Sequence, residues 1–344
     1  MAAADAAVRA WTVEGGAPAG VDVFPLAEAL RACPEALREA LVTLGDDATG
    51  TPANPFLDLN AASFDEVVVV RVREGAIVEA PLALRVGAGA PGTAVHPRVL
   101  VLAGARSQLT LVETYTGGGD DASLLNAATE LQLAEGAVVK HVRVQEHGVG
   151  TFHLATLAAR VARDATYDSH VVSLGGRLAR LDLCVVLDGP GASCSLDGLY
   201  VGAGTQHLDH HTFVDHRTPH GTSVQKYKGI VTGAARTVFD GRVKVRRGAQ
   251  KTSAHQENRN LLLSDEALAH TKPSLEIDAD DVKCSHGATV GQLDEDALFY
   301  LRARGIDLAL ARAMLTEGFA REIFDRLPLE PLRARLAAQA LERL

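Results

Sequence analysis

The spacing of hydrophobic positions changes twice along this chain. Leu26, Leu30, Leu37 and Leu41 recur at roughly helical intervals, and Gly45 is placed to end the run, so a short helical lead-in is predicted over 26–44. From Val67 the texture becomes Val-rich and alternates. Leu181, Leu183, Val185 and Leu187 interleave with Asp182, Cys184, Val186 and Asp188, and a period of two predicts strands with one buried face. After Gly291 helical spacing returns. Asp294 can cap a helix that has Glu295 and Asp296 in its first turn, Ala297, Leu298 and Leu301 as its apolar stripe, and Gly305 at its end. A second helix is predicted from Asp307, with Leu308, Ala311 and Leu315 on one face and Phe319 and Ile323 beyond, stopping at Pro328. Pro331 suits the first turn of a last helix that ends near Leu344.

A weak repeat runs through the strand-rich part. Gly104-Ala105, Gly136-Ala137, Asp164-Ala165, Gly191-Ala192, Gly221-Thr222 and Gly248-Ala249 recur roughly every 27 to 32 residues, and strand-like runs such as 109–111 and 142–144 follow them. No helix-like stretch between these strands is long enough to be a crossover, which argues against a doubly wound sheet and for a solenoid, sandwich or barrel. A parallel β-helix is the expectation, with a ladder of small aliphatics inside and Gly or Asp at the corners. The predicted division is a short N-terminal helical segment over 1–64, a parallel β-helix core over 65–290, and a C-terminal helical domain over 291–344.

Composition narrows the function classes. Hydrophobic residues make up 47% of the 344 and aromatics only 4%, so the core must be built from Val, Leu and Ala. A formal charge of −9 argues against a nucleic-acid surface, which needs clustered Lys and Arg. Cys33, Cys184, Cys194 and Cys284 form no CxxC pair and are too scattered for a disulfide framework, which points to a reducing compartment. Met1 to Ala10 has no secretory pattern, and no apolar run reaches membrane-spanning length, so a cytoplasmic protein is expected.

Cys284 and His286 are the most interesting chemistry. At i and i+2 on a strand, a thiol and an imidazole share one face about 7 Å apart, and both ligate zinc, iron or iron-sulfur units. Two ligands do not close a site, so the pair reads either as structural or as one half of a site completed from elsewhere, including another chain. His207, His210, His211, His216 and His220, with Asp209 and Asp215, form a dense stretch without zinc-site spacing, and capping or exposed positions explain it as well as metal does. Lys226, Lys228, Arg242, Lys244, Arg246 and Arg247 include an alternation with Val243 and Val245 that marks a strand's outer face, solvated or against another subunit. The chain has no GxxxxGK[ST], GxSxG or HExxH motif; Gly117-Gly118-Gly119 followed by Asp120-Asp121 reads as a loop. Asp280 and Asp281 are adjacent, point to opposite faces of a strand, and are poor acid-base partners.

Four runs carry a family resemblance: GAQKTSAHQENRNLLLS over 248–264, KPSLEI over 272–277, DDVKCSHGAT over 280–289, and VGQLDEDALFYLRARGI over 290–306. Together they closely resemble the SufB/SufD family of iron-sulfur cluster assembly. The likeness is strong from about Leu181 to Met314, weaker back to about Asn60 and negligible before that. The CSHGAT form is similar to the SufD branch, whereas SufB tends to carry a glutamate-rich version. The resemblance implies a right-handed parallel β-helix flanked by helices, and a non-catalytic scaffold. It implies a heterodimer with a SufB-like subunit through the β-helix, and docking of a SufC-like ATPase on the C-terminal helical region. It further implies a transient iron-sulfur cluster or iron shared with SufB at His286, supported by Cys284, with reduced flavin only at the level of the complex and nothing tightly bound by the subunit alone. An isolated subunit could instead pair with itself. The segment before the solenoid is shorter than the family leads one to expect. The competing expectations are a stand-alone metalloenzyme on a β-helix and a purely structural β-helix.

Overall fold

The computed structural model describes residues 11–35, 37, 54–64 and 66–343. Leu41 and Gly45, with most of the predicted lead-in after Ala32, lie outside these residues.

The chain winds into a flattened β-solenoid of about eight turns, in which each turn gives one strand to each of two sheets. One sheet, here sheet A, runs in spatial order β1 (Trp11–Glu14), β4 (Leu82–Gly87), β7 (Gln108–Thr116), β9 (Val138–Gln145), β11 (Thr166–Ser173), β13 (Ser193–Gly202), β15 (Thr222–Val231), β17 (Ser253–Leu262) and β19 (Lys283–Gly291). The facing sheet B runs β18 (Leu268–Ile277), β16 (Arg236–Val245), β14 (His207–His216), β12 (Leu178–Leu187), β10 (Thr151–Val161), β8 (Ser123–Leu133), β6 (Arg98–Ala103), β3 (Val67–Val72) and β2 (Val21–Pro25), with the short β5 (Ala94–Val95) beside β8. All ladders are parallel except at the N-terminal end, where β1 and β2 pair antiparallel with β4 and β3. The expected parallel β-helix is therefore found, and the segment before it carries two strands in addition to helix.

Register explains the alternation read from sequence. Leu181, Leu183, Val185 and Leu187 on β12 point inward and are all buried, stacked in register on β10 and β14. Their neighbours on adjacent turns extend one continuous inner core, so each turn buries its apolar face only because the next turn covers it.

The turns between sheets correct the repeat. At the corners that lead from sheet B into sheet A the left-handed residue is Gly75, Arg106, Gly136, Asp164, Gly191, His220 or Lys251, so the sequence pairs at Gly104, Gly221 and Gly248 were out of phase with it. Non-glycine residues hold that conformation in four of these corners, a pattern a search for glycine cannot see. Each of these N–H groups donates to a carbonyl of the following turn, from Gly75 to Ala105 (2.8 Å) through Asp164 to Pro190 (3.0 Å) to Lys251 and Asp281 (2.6 Å). The next residue along is small and buried in six of the corners: Ser107, Ala137, Ala165, Ala192, Gly221 and Thr252. Gly104 has a different reason, since a Cβ there would lie 2.7 Å from the Glu74 backbone nitrogen of the preceding turn.

Helices cover parts of both outer faces. Helices α1 (Leu26–Ala32) and α2 (Pro55–Ser63) lie on sheet B; Ala29 packs on Val67, Val69 and Leu100. Helix α2 is not marked by periodicity in the sequence; its Asn54 side chain caps it by accepting from Phe56 and Leu57 N–H. The C-terminal helices are α3 (Glu295–Arg302), α4 (Leu308–Phe324) and α5 (Glu330–Glu342), with Asp294, Asp307 and Pro331 in the capping and first-turn places expected. Ala320, Ile323, Phe324, Leu336 and Ala340 pack on Val142, Val144, Val172 and Leu199 of sheet A's outer face.

Candidate functional site: the open end of the solenoid

The two ends of the solenoid differ. At the N-terminal end the first strands of both sheets are covered by antiparallel β1 and β2. Among the described residues the edge strands at both ends have a neighbour on one side only, but β18 and β19 are parallel strands of ten and nine residues, none of them buried. Parallel ladders alternate their bonding sides along a strand. The Lys283 N–H donates to Thr252, which leaves the N–H groups of Cys284, His286, Ala288 and Val290 on the free edge of β19. On β18, Leu268 and Asp278 donate inward to β16, so the odd-numbered residues face the free edge, and one of them is Pro273. Proline on that side removes a donor without breaking the ladder and blunts this edge against pairing. β19 has no such residue.

Cys284 and His286 lie on this last strand, in register with Ala254 and Gln256 of β17, whose side chains point into the core. Cys284 is half-buried against the inner core, and burial pushes its thiol up from its ordinary value. His286 is exposed on the same face, because no further turn covers it. Ser285, between them, points outward, 2.9 Å from His255 Nδ1. One soft thiol and one imidazole on one face suit iron or an iron-sulfur unit chemically but supply only part of a coordination sphere. Among the described residues, no group of three or more His, Cys, Asp or Glu side chains is arranged to hold a metal ion.

The histidine-rich stretch is dispersed by the strand's own alternation. His210 and His216 point inward: His210 stacks on Tyr200 at 4.8 Å between centroids, and His216 Nε2 lies 2.8 Å from Ser223 Oγ. His211 points outward and pairs with Asp209 at 2.7 Å, while His220 takes a corner. The basic residues also separate. Lys226 and Lys228 of β15 reach Glu322 of α4, Lys228 donates to the Phe319 carbonyl (2.9 Å), and Arg246 pairs with Asp215 (2.8 Å). Thus Lys226 and Lys228 hold the C-terminal helices on the solenoid, a role their sequence positions did not disclose.

A second surface is apolar. Phe299 and Tyr300 of α3 and Leu308, Leu310 and Met314 of α4 are exposed, Phe299 by 74%, whereas the opposite side of α4 packs on the solenoid. A trough of about 800 Å³ runs along the corners between Arg73 and Pro190 and is open; three of its arginines are already engaged, Arg71 and Arg73 by Asp22 and Arg160 by Asp188. No helix among the described residues is long and apolar enough to cross a membrane.

A two-sheet parallel solenoid with helices packed on both outer faces defines a β-helix protein. Comparison with known proteins gives the family. Residues 85–319 match the model of the SufBD core domain of SUF-system iron-sulfur cluster assembly. The chain is 36% identical over 310 residues to an iron-sulfur cluster assembly SufBD family protein of Synechocystis, covering 87% of this chain and 68% of the relative. It is 35% identical over 287 residues to the chloroplastic protein ABCI7 of Arabidopsis thaliana, covering 81% and 60%. To the iron-sulfur cluster assembly protein SufD of Escherichia coli it is 32% identical over 311 residues, covering 88% and 74%. The chain belongs to the SufB/SufD family of iron-sulfur cluster assembly proteins and is of the SufD type.

Proposed function

We propose that this chain is a non-catalytic scaffold that pairs edge to edge with a SufB-like subunit, docks a SufC-like ATPase, and offers His286, with Cys284, to iron or a nascent cluster at the joint. The observation that carries this reading is the asymmetry of the solenoid. Its first turn is flanked by the short antiparallel strands β1 and β2, while β19, nine residues long, leaves its outward N–H groups unpaired among the described residues, beside the two proposed ligating side chains. An exposed strand edge is a template for another sheet. A sheet added there would bring its own side chains over the inward face where His286 stands, and could complete a coordination sphere that this chain leaves incomplete.

The exposed apolar face of α3 and the start of α4 is the docking surface for the ATPase. It sits on helices anchored to the solenoid through Glu322 and through Arg326, which pairs with Asp197 at 2.8 Å. Iron and sulfide are cargo here, reduced flavin belongs to the assembled complex, and the isolated subunit binds metal weakly. The four cysteines are free, in keeping with a reducing, cytoplasmic setting.

The test is co-expression with SufB-like and SufC-like partners, anaerobic purification, and iron and sulfide analysis. A ternary complex carrying iron and sulfide is expected, against little of either on the subunit alone. Full metal loading and turnover by the isolated chain would refute the scaffold reading.

A further inference from the structure

The interior of the solenoid is not uniformly apolar. Glu113, fully buried, accepts from Tyr115 Oη (2.9 Å), Thr129 Oγ1 (3.1 Å) and the Arg143 guanidinium (3.3 Å). Arg143 also donates to His153 Nε2 (3.1 Å), and the remaining ring contacts fix both imidazoles. His153 Nδ1–H donates to His147 Nε2 (3.1 Å), and His147 Nδ1–H to the Gly117 carbonyl (3.4 Å). A second network lies further along the axis. Ser173 Oγ is 2.9 Å from His210 Nε2, and His210 stacks on Tyr200. The Tyr200 hydroxyl donates to Asn260 (2.7 Å) and accepts from Asn258 (3.0 Å), and Asn260 donates to the Thr289 carbonyl on β19 (3.4 Å).

Between the two networks is a cavity of about 10 Å³, lined among others by Arg143, Gln145, His153, Ser173 and His210. Gln145 is 3% exposed and His210 1%. The Gly175 N–H donates to Gln145 Oε1 (3.0 Å), which settles which end of the amide is oxygen, and among the described residues Gln145 Nε2 meets no acceptor. His210 Nδ1 is likewise buried without a partner. A buried donor left unpaired costs ~1–3 kcal/mol, and a space of about one probe sphere with two or more polar partners is what a single water needs.

We propose that this cavity is a site for one ordered water molecule, held by Gln145 Nε2 and His210 Nδ1, that joins the two networks into a single polar column from the Gly117 loop to the rim strand β19. Charge decides between water and a monatomic anion. Arg143 is already balanced by Glu113, and burial holds His153 well below the ordinary imidazole range and His210 down at about 4, so both rings are neutral. An anion would enter without a surplus positive charge to offset its dehydration.

The test uses the full chain. Crystals diffracting to high resolution, one set soaked in bromide, should show a single water within hydrogen-bond distance of both nitrogens and no anomalous bromide peak. Oxygen-17 relaxation dispersion in solution should count one fewer long-lived water in Gln145→Leu than in the parent. His210→Phe provides the second variant if Gln145→Leu does not fold, with the same loss expected. A bromide peak in the cavity, a cavity without density, or an unchanged count in a folded variant would overturn the proposal.

Discussion

At the residue scale, the final turn and the corners do different work. His286 is exposed because the solenoid ends there; the same inward position one turn earlier is Gln256, fully buried and donating to Gln225 (3.1 Å). His286→Ala therefore removes no interior contact, and thermal unfolding of the isolated subunit should stay within about 0.5 kcal/mol of the parent, as for other surface changes. The corners offer no such tolerance. Ala165 follows the left-handed Asp164 and is fully buried in the stack between Ala137 and Ala192. Ala165→Leu should cost about 1–3 kcal/mol by overpacking, read as a lower urea midpoint, and a neutral result would mean the stack is looser than described. Cys284 and His286 were legible in sequence as a pair on one face. Their position at an open end was not, since nothing in a local pattern tells the last turn of a solenoid from an inner one. The polar column was missed for a related reason: Glu113, Arg143 and His153 look like surface residues until register places them on the inward face.

At the element scale, the C-terminal helices were read correctly because capping is a local signal. Asp294, Asp307 and Pro331 each act within one turn of where they stand in the chain. Helix α2 was missed although Asn54 caps it, because its nine residues show little periodicity. What holds α4 on the solenoid is not local, as Glu322 meets Lys226 and Lys228 across the fold. The hydrogen bond from Lys228, followed by the charges of both lysines, holds the Glu322 carboxyl down at about 2, below its ordinary 4.5. A depressed carboxylate stabilises the clasp above the ordinary value and loses that contribution as pH falls from about 4.5 through about 2. Protection of α4 amides, taken relative to their intrinsic exchange rates, should fall across that window, and Glu322→Gln should flatten the dependence; identical profiles would remove the clasp. On the other face of these helices, Phe299→Asp with Leu310→Asp should abolish retention of the SufC-like ATPase while leaving far-ultraviolet circular dichroism unchanged. Retention by a folded double variant would move the docking surface elsewhere.

At the scale of the whole molecule, the proposed function rests on short antiparallel strands at one end, a long exposed parallel edge at the other, and the proposed ligand pair on that edge. Pairing should depend on the free edge of β19, so Ala288→Pro, which deletes one outward N–H and leaves the bonds to β17, should sharply reduce recovery of the SufB-like partner. The β-helix class was readable from alternation and regular corners, and the family from the contiguous runs after Gly248. Which end carries antiparallel strands was not readable, because β1 and β2 are short and come from the stretch with the least resemblance to the family. The most direct measurement is the iron and sulfide content of the anaerobically purified complex of this chain with the proposed SufB-like and SufC-like partners, parent against His286→Ala. The account predicts normal complex formation and near-normal ATPase activity, with iron and sulfide reduced severalfold and Cys284→Ala showing a smaller loss of the same sign. A fully assembled His286→Ala complex with undiminished iron and sulfide would contradict it.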